Sequence, residues 1–157
     1  MTETPYSKRR PRVLAVASGG GHWVQLMRLR PVLLQADTAF VTVSRLYQPD
    51  VLGNRFYVVP DATRWNPFRL VLAGLQLLWI ILRERPARII TTGAAPGFLA
   101  IRIGRIFGAR TCWLDSIANV EQLSLSGQKA GKYSDLWLTQ WPELATEKGP
   151  KYRGSVL

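Results

Sequence analysis

The chain has 157 residues, 47% of them hydrophobic and 20% charged, with one cysteine and a formal net charge of +11 from 21 basic and 10 acidic residues. A chain of this length buries about two-thirds of the surface its unfolded form exposes, enough for one compact domain. The single Cys112 excludes a disulfide framework and reads as a buried, inert thiol in a reducing compartment, while the charge points to anionic partners: nucleic acid, an acidic membrane surface or phosphorylated small molecules.

Residues 1–12, MTETPYSKRRPR, are basic and read as a flexible tail, and the apolar run after them is too short for the core of a secretory signal, so export by that route is not expected. From there residues 13–157 read as one domain in which short β-branched runs alternate with longer helical ones. Strands are predicted at 13–17 (VLAVA), 39–43 (AFVTV), 56–59 (FYVV), 88–92 (RIITT), 111–114 (TCWL) and 136–139 (LWLT). Helices are predicted at 23–34, bent at Pro31, at 67–85, and at 97–107, closing at Gly108. After Trp141 the chain turns polar and glycine-rich and reads as an exit from the domain. Continuous apolar strands separated by helices imply a doubly wound, Rossmann-like parallel sheet covered on both faces.

In such sheets ligands sit outside the carboxyl ends of the strands, near the place where strand order reverses. Three stretches fall on that edge: Ser18, Gly19, Gly20, Gly21 and His22 after the first strand; TGAAPG, with Gly93 and Pro96, after the fourth; and DSIAN, with Asp115, Ser116 and Asn119, after the fifth. Glycines at a strand-to-helix turn let backbone N–H groups approach a ligand at the positive helix end, which suits a phosphate or diphosphate. The P-loop and dinucleotide patterns do not fit, because His22-Trp23 follows the glycines and Val24 stands where a further glycine is required. The remaining alternative is a tight turn without a ligand.

His22 is the only histidine, so metal binding has no second imidazole and no cysteine cluster to support it. It reads either as a packing residue or as a general base or phosphate donor. Asp115 reads either as a turn former or as a base aimed into the same crevice, with Ser116 and Asn119 bonding a polar ligand. Exchange of His22 or Asp115 is then expected to spare the fold and slow the chemistry.

The stretch NPFRLVLAGLQLLWIILRER is too short and too interrupted to span a membrane but greasier than a surface helix. Either a partner covers it, or Trp65, Phe68 and Trp79 meet a membrane interface with Arg83 and Arg85 on anionic headgroups.

SGGGHWVQLMRLRP, TTGAAPG and above all DSIANVEQLSLSGQKAGKYSDLWLTQWPEL resemble the Alg14-like family of oligosaccharide biosynthesis proteins, over nearly the whole chain from Arg12 onward. The resemblance implies the acceptor-side subunit of a split UDP-glycosyltransferase, similar to the N-terminal half of a GT-B enzyme such as the bacterial transferase acting on undecaprenyl-diphosphate muropeptide. A separate donor-binding subunit would supply the UDP-sugar site. The acceptor would be polyprenyl-diphosphate-linked, at the cytosolic membrane face, in bacterial exopolysaccharide or capsule assembly. Gly19, Gly20, Gly21 and His22 match the family's glycine-rich turn, associated with acceptor diphosphate and catalysis; Asp115 matches an acidic position that is usually Glu. Eukaryotic members carry an N-terminal membrane anchor, which MTETPYSKRRPR does not resemble. No cofactor is implied. Two rival readings remain: a docking and membrane-recruitment subunit whose partner carries all the chemistry, and a basic nucleic-acid-binding domain, which lacks a recognisable reading helix or aromatic RNA-binding strand.

Overall fold

The computed structural model describes residues 9–156, so most of the tail expected at 1–12 lies outside the described residues. Six apolar runs form strands as expected: β1 (Arg12–Val16), β2 (Asp37–Thr42), β3 (Arg55–Val58), β4 (Arg88–Thr91), β5 (Arg110–Leu114) and β6 (Leu136–Thr139). A seventh, β7 (Lys151–Tyr152), falls in the segment read as an exit, and its two exposed residues pair with β6. All pairings are parallel, in the order β3-β2-β1-β4-β5-β6-β7. Strand order therefore reverses between β1 and β4.

The helices follow local chemistry. The first predicted helix is two, α1 (Gly21–Arg28) and α2 (Arg30–Leu33), broken at Leu29 so that Pro31 sits in a first turn, where its missing N–H costs nothing. The Asn66 side chain caps α3 (Pro67–Glu84) by accepting from the Arg69 N–H at 3.0 Å. α4 (Ala94–Ile106) starts three residues before the predicted 97, because Pro96 also falls within a first turn. Ser124 caps the six-residue α5 (Leu125–Ala130), which is too short and polar to show a periodic pattern.

Alternation along β1 divides the core. Leu14 and Val16 pack with Val41, Ile89, Leu77, Ile80 and Ile81 under α3 and α4, while Val13, Ala15 and Ala17 pack with Trp23, Leu26 and Phe40 under α1. A third cluster, Ile101, Trp113 and Ala130, carries the α3–α4 face out to β5. Among the described residues the opposite face is left partly uncovered. Beyond α2, Ile90, Cys112 and Leu136 lie side by side in register across β4, β5 and β6 and floor an open groove of about 400 Å³, although parallel sheets ordinarily have both faces covered. Cys112, expected to be buried, is half-buried on this floor, and its desolvation there pushes the thiol up to about 12.

α4 lies so close to β4 that a Cβ added at Gly97 would stand 2.0 Å from Thr91 Oγ1. Gly97→Ala is expected to lower stability by about 1–3 kcal/mol, the range for overpacking, read as a reduced urea midpoint with unchanged slope.

Candidate functional site

The glycine-rich turn and TTG stretch meet where strand order reverses. Gly20 precedes α1 with φ +63°, and Gly93 precedes α4 with φ +126°; both are conformations that favour glycine. Ala94 follows at φ +66°, a left-handed backbone costing a side-chain-bearing residue roughly 1–2 kcal/mol. Neither helix has a side-chain cap or an acidic residue in its first turn. Two positive helix ends thus face the same crevice without neutralisation. Gly20 and Gly21 are exposed, with no atom within 4 Å of where a side chain would begin, so a ligand can reach their backbone. Gly19 is more confined, since a Cβ there would lie 3.0 Å from the Tyr47 hydroxyl. That hydroxyl accepts the Gly20 N–H at 2.8 Å, a contact no sequence pattern announced. Ser18 is half-buried at the foot of the turn, and the buried Pro96, having no N–H to donate, serves only as wall.

His22 stands between the two helix ends. Its Nδ1 lies 2.8 Å from the Thr92 carbonyl, and the Thr92 hydroxyl donates back to the His22 carbonyl at 2.6 Å. A carbonyl only accepts, so Nδ1 carries a proton and turns Nε2 outward as the ring's other polar atom. No hydrogen bond to Nε2 occurs among the described residues. Gly93 is glycine for this ring as well, since a Cβ there would sit 2.9 Å from His22 Cε1 and Nδ1.

Asp115 differs from its expected role. Only 1% exposed, it points back into the protein, away from the crevice. Oδ1 accepts from Trp113 Nε1 at 3.1 Å and Ser124 Oγ at 2.7 Å; Oδ2 accepts from Asn119 Nδ2 and the Ser124 N–H, both at 3.0 Å. Four donors use all of a carboxylate's acceptor positions. The expectation of a base, with Asn119 on a ligand, is therefore corrected: Asp115 clasps the loop of residues 116–124 and anchors the cap of α5, and Asn119 is part of that clasp. The sequence clue was the serine capping α5, nine residues on.

Ser116 is likewise engaged. Its hydroxyl accepts from Gln25 Nε2 at 3.1 Å and the Ala118 N–H at 3.2 Å. Gln25 Oε1 takes the Ile117 N–H at 3.2 Å and Gln140 Nε2 at 2.6 Å; Gln140 Nε2 also reaches the Asp115 carbonyl at 2.9 Å. Buried Gln25 and Gln140 thus tie α1 to the ends of β5 and β6. Sequence reading missed both, because a glutamine on an apolar helix face carries no pattern of its own.

The expected membrane residues share one surface. Trp65 (79% exposed) and Phe68 (78%) begin a stripe continued by Val71, Leu75, Trp79 and Leu82 along α3, while Ala73, Leu77, Ile80 and Ile81 face the sheet. Arg64 stacks on Trp65 at 4.5 Å and Arg83 on Trp79 at 5.4 Å; Arg85, left-handed at φ +46°, closes the helix in solvent. No helix among the described residues is long and apolar enough to cross a membrane.

Asp115→Asn is expected to destabilise the fold by about 1.5–3 kcal/mol, because an amide brings a donor to face donors. Thermal melting reads the loss, and proteolysis within 116–124 rises with it; an unchanged melting temperature would contradict the clasp.

No family model matches the chain. In sequence it is 25% identical to the UDP-N-acetylglucosamine transferase subunit ALG14 of Yarrowia lipolytica, over 94% of this chain and 82% of that protein. In fold it is similar to Acinetobacter baumannii MurG, with a TM-score of 0.77 at 12% identity over 94% of this chain and 46% of MurG. It is also similar to a UDP-N-acetylglucosamine 2-epimerase from Rickettsia bellii, with a TM-score of 0.66 at 12% identity over 94% of this chain and 45% of the enzyme. The chain spans less than half the length of either solved structure. The chain is thus Alg14-like in sequence along nearly its whole length and has the fold of one half of a GT-B glycosyltransferase.

Proposed function

We propose that this chain is the acceptor-binding, membrane-associating subunit of a two-component glycosyltransferase. It moves a sugar from a UDP-sugar to a polyprenyl-diphosphate-linked acceptor at the cytoplasmic face of the inner membrane, in bacterial exopolysaccharide or capsule assembly. The observation that carries this reading is the free Nε2 of His22 between two uncapped helix ends at the strand-order reversal. A fold shared with an epimerase does not by itself choose the reaction; the site and the similarity to a transferase subunit support sugar transfer.

In this reading the α1 and α4 ends and the Gly20–Gly21 backbone attract the acceptor's phosphate-bearing end. Nε2 takes the proton of the acceptor hydroxyl as its oxygen bonds to the anomeric carbon. The bond from that carbon to the UDP oxygen breaks, and UDP leaves with the electron pair. Thr92 holds the ring in the required tautomer, and the Asp115 clasp holds the wall opposite. The donor-binding subunit supplies the UDP-sugar at the crevice, and the open groove over Ile90, Cys112 and Leu136, on the sheet face toward the amino ends of β4, β5 and β6, supports contact with a protein element that covers it. The α3 stripe, with its flanking arginines, supports peripheral attachment.

His22→Ala is expected to leave the melting temperature within a few degrees and to cut transfer by the assembled pair at least tenfold, in kcat rather than acceptor KM. Unchanged turnover would place the chemistry on the partner and leave this chain a docking subunit. Phe68→Ser with Trp79→Ser, both exposed, should reduce co-sedimentation with phosphatidylglycerol vesicles at low salt at least fivefold. Failure of the unaltered protein to sediment would remove the membrane role.

A further inference from the structure

Between α3, α4 and α5 lies a cavity of about 370 Å³ to which no role has yet been given. Leu70, Phe98, Leu99 and Leu125 make it apolar, and Arg64, Arg102 and Lys129 bring three cations to it. Among the described residues no carboxylate lines it, and none of the three cations belongs to a salt bridge. This contrasts with the far side of α4, where Arg105 and Arg110 approach Asp135 at 3.7 and 3.9 Å.

The cations are held for use. The Arg102 guanidinium lies over Tyr133 at 5.0 Å and near Phe98 at 5.9 Å, which fixes its plane and leaves its N–H donors unspent. Arg64 is held over Trp65. Like charges gathered on an apolar hollow repel one another and lower each other's solvation, a cost that an anionic ligand offsets. The cavity also has a direction. Ala95 in its lining belongs to the first turn of α4, one turn from the backbone that holds His22, while Leu70 belongs to the first turns of α3 and Arg64 to the turn just before it, where the exposed apolar stripe begins. An occupant therefore carries negative charge and an apolar chain together, and lies between the crevice and the membrane-facing stripe.

We infer that this cavity holds the first isoprene units of the lipid-linked acceptor and the lipid-side phosphate of its diphosphate, with Arg64, Arg102 and Lys129 on that phosphate and Leu70, Phe98, Leu99 and Leu125 on the isoprenoid, while the sugar-side phosphate meets the α1 and α4 ends. The inference rests on the proposed acceptor-side function and adds the residues that select the lipid. A diphosphate concentrates more charge at one point than a phosphodiester headgroup, which is what three convergent cations favour over a bulk phospholipid.

The probe is farnesyl diphosphate, titrated calorimetrically into the full chain, with inorganic pyrophosphate and phosphatidylglycerol vesicles as the other arms. The unaltered protein is expected to bind farnesyl diphosphate at least tenfold more tightly than pyrophosphate. Arg102→Gln with Lys129→Gln, both at exposed positions, should weaken farnesyl diphosphate binding at least tenfold, with an unchanged melting temperature and less than threefold loss of vesicle binding. Three results overturn the inference: undiminished farnesyl diphosphate binding by the double variant, equal affinity of the unaltered protein for pyrophosphate, or parallel loss of vesicle and farnesyl diphosphate binding, which would mark a general headgroup site. Transfer by the assembled pair separates this from the function itself. A double variant with wild-type acceptor KM, beside an inactive His22→Ala, overturns the cavity alone. No transfer by the unaltered pair overturns the function.

Discussion

The reciprocal hydrogen bonds between His22 and Thr92 join chain segments seventy residues apart, at the point where the sheet changes direction. They exist because β1 and β4 are neighbours in a register that sets Val16 beside Thr91. A slip of one residue would turn every side chain of one strand to the other face. It would exchange Leu14 and Val16 for Ala15 in the α3 core and carry the Thr92 carbonyl out of reach of the imidazole. The apolar alternation that stabilises the sheet is therefore the same constraint that fixes which nitrogen of the histidine is bare.

Around this pair the protein buries polar groups that would be costly without partners. Asp115, Ser116, Gln25 and Gln140 form one connected network, each bonded to at least one other or to loop backbone. Fully satisfied, such a network adds rigidity more than net stability; partly broken, it leaves buried donors unpaired. Its position explains its use. It fastens the helix that begins at His22 to the loops following β5 and β6, so that crevice walls drawn from distant parts of the chain are held as one body.

Much of the fold was legible because its signals are local. Apolar runs gave six strands and their alternation with helices gave the parallel sheet, and the glycine turns fell at the strand ends where a ligand edge was expected. What was hidden depends on partners far away in sequence. β7 has two exposed residues and exists only because β6 offers an edge. Tyr47 reaches the glycine turn from a 3-10 segment, Arg45–Val51, that has no hydrophobic period. Asp115 was legible as a carboxylate ending a strand, but its direction was not. The same residue at the same place can face the crevice or the core, and the choice was made by Trp113 and Ser124, whose donors lie on the inner side.

The surface carries a further argument. A self-sufficient domain covers its sheet, caps its helices and interleaves its charges; this one departs from all three, each in a different place. Among the described residues the sheet is open over Ile90, Cys112 and Leu136, the helix ends at α1 and α4 have no side-chain cap, and cations without a salt bridge stand over an apolar hollow beside the exposed α3 stripe. One kind of ligand would not satisfy all of them. An apolar groove asks for a protein element, bare helix ends for a phosphate, and a greasy stripe bordered by arginines for a lipid surface. A subunit that lies on a membrane, receives a lipid-linked diphosphate and is completed by a second polypeptide meets all three demands together, and a freestanding small-molecule enzyme meets only one.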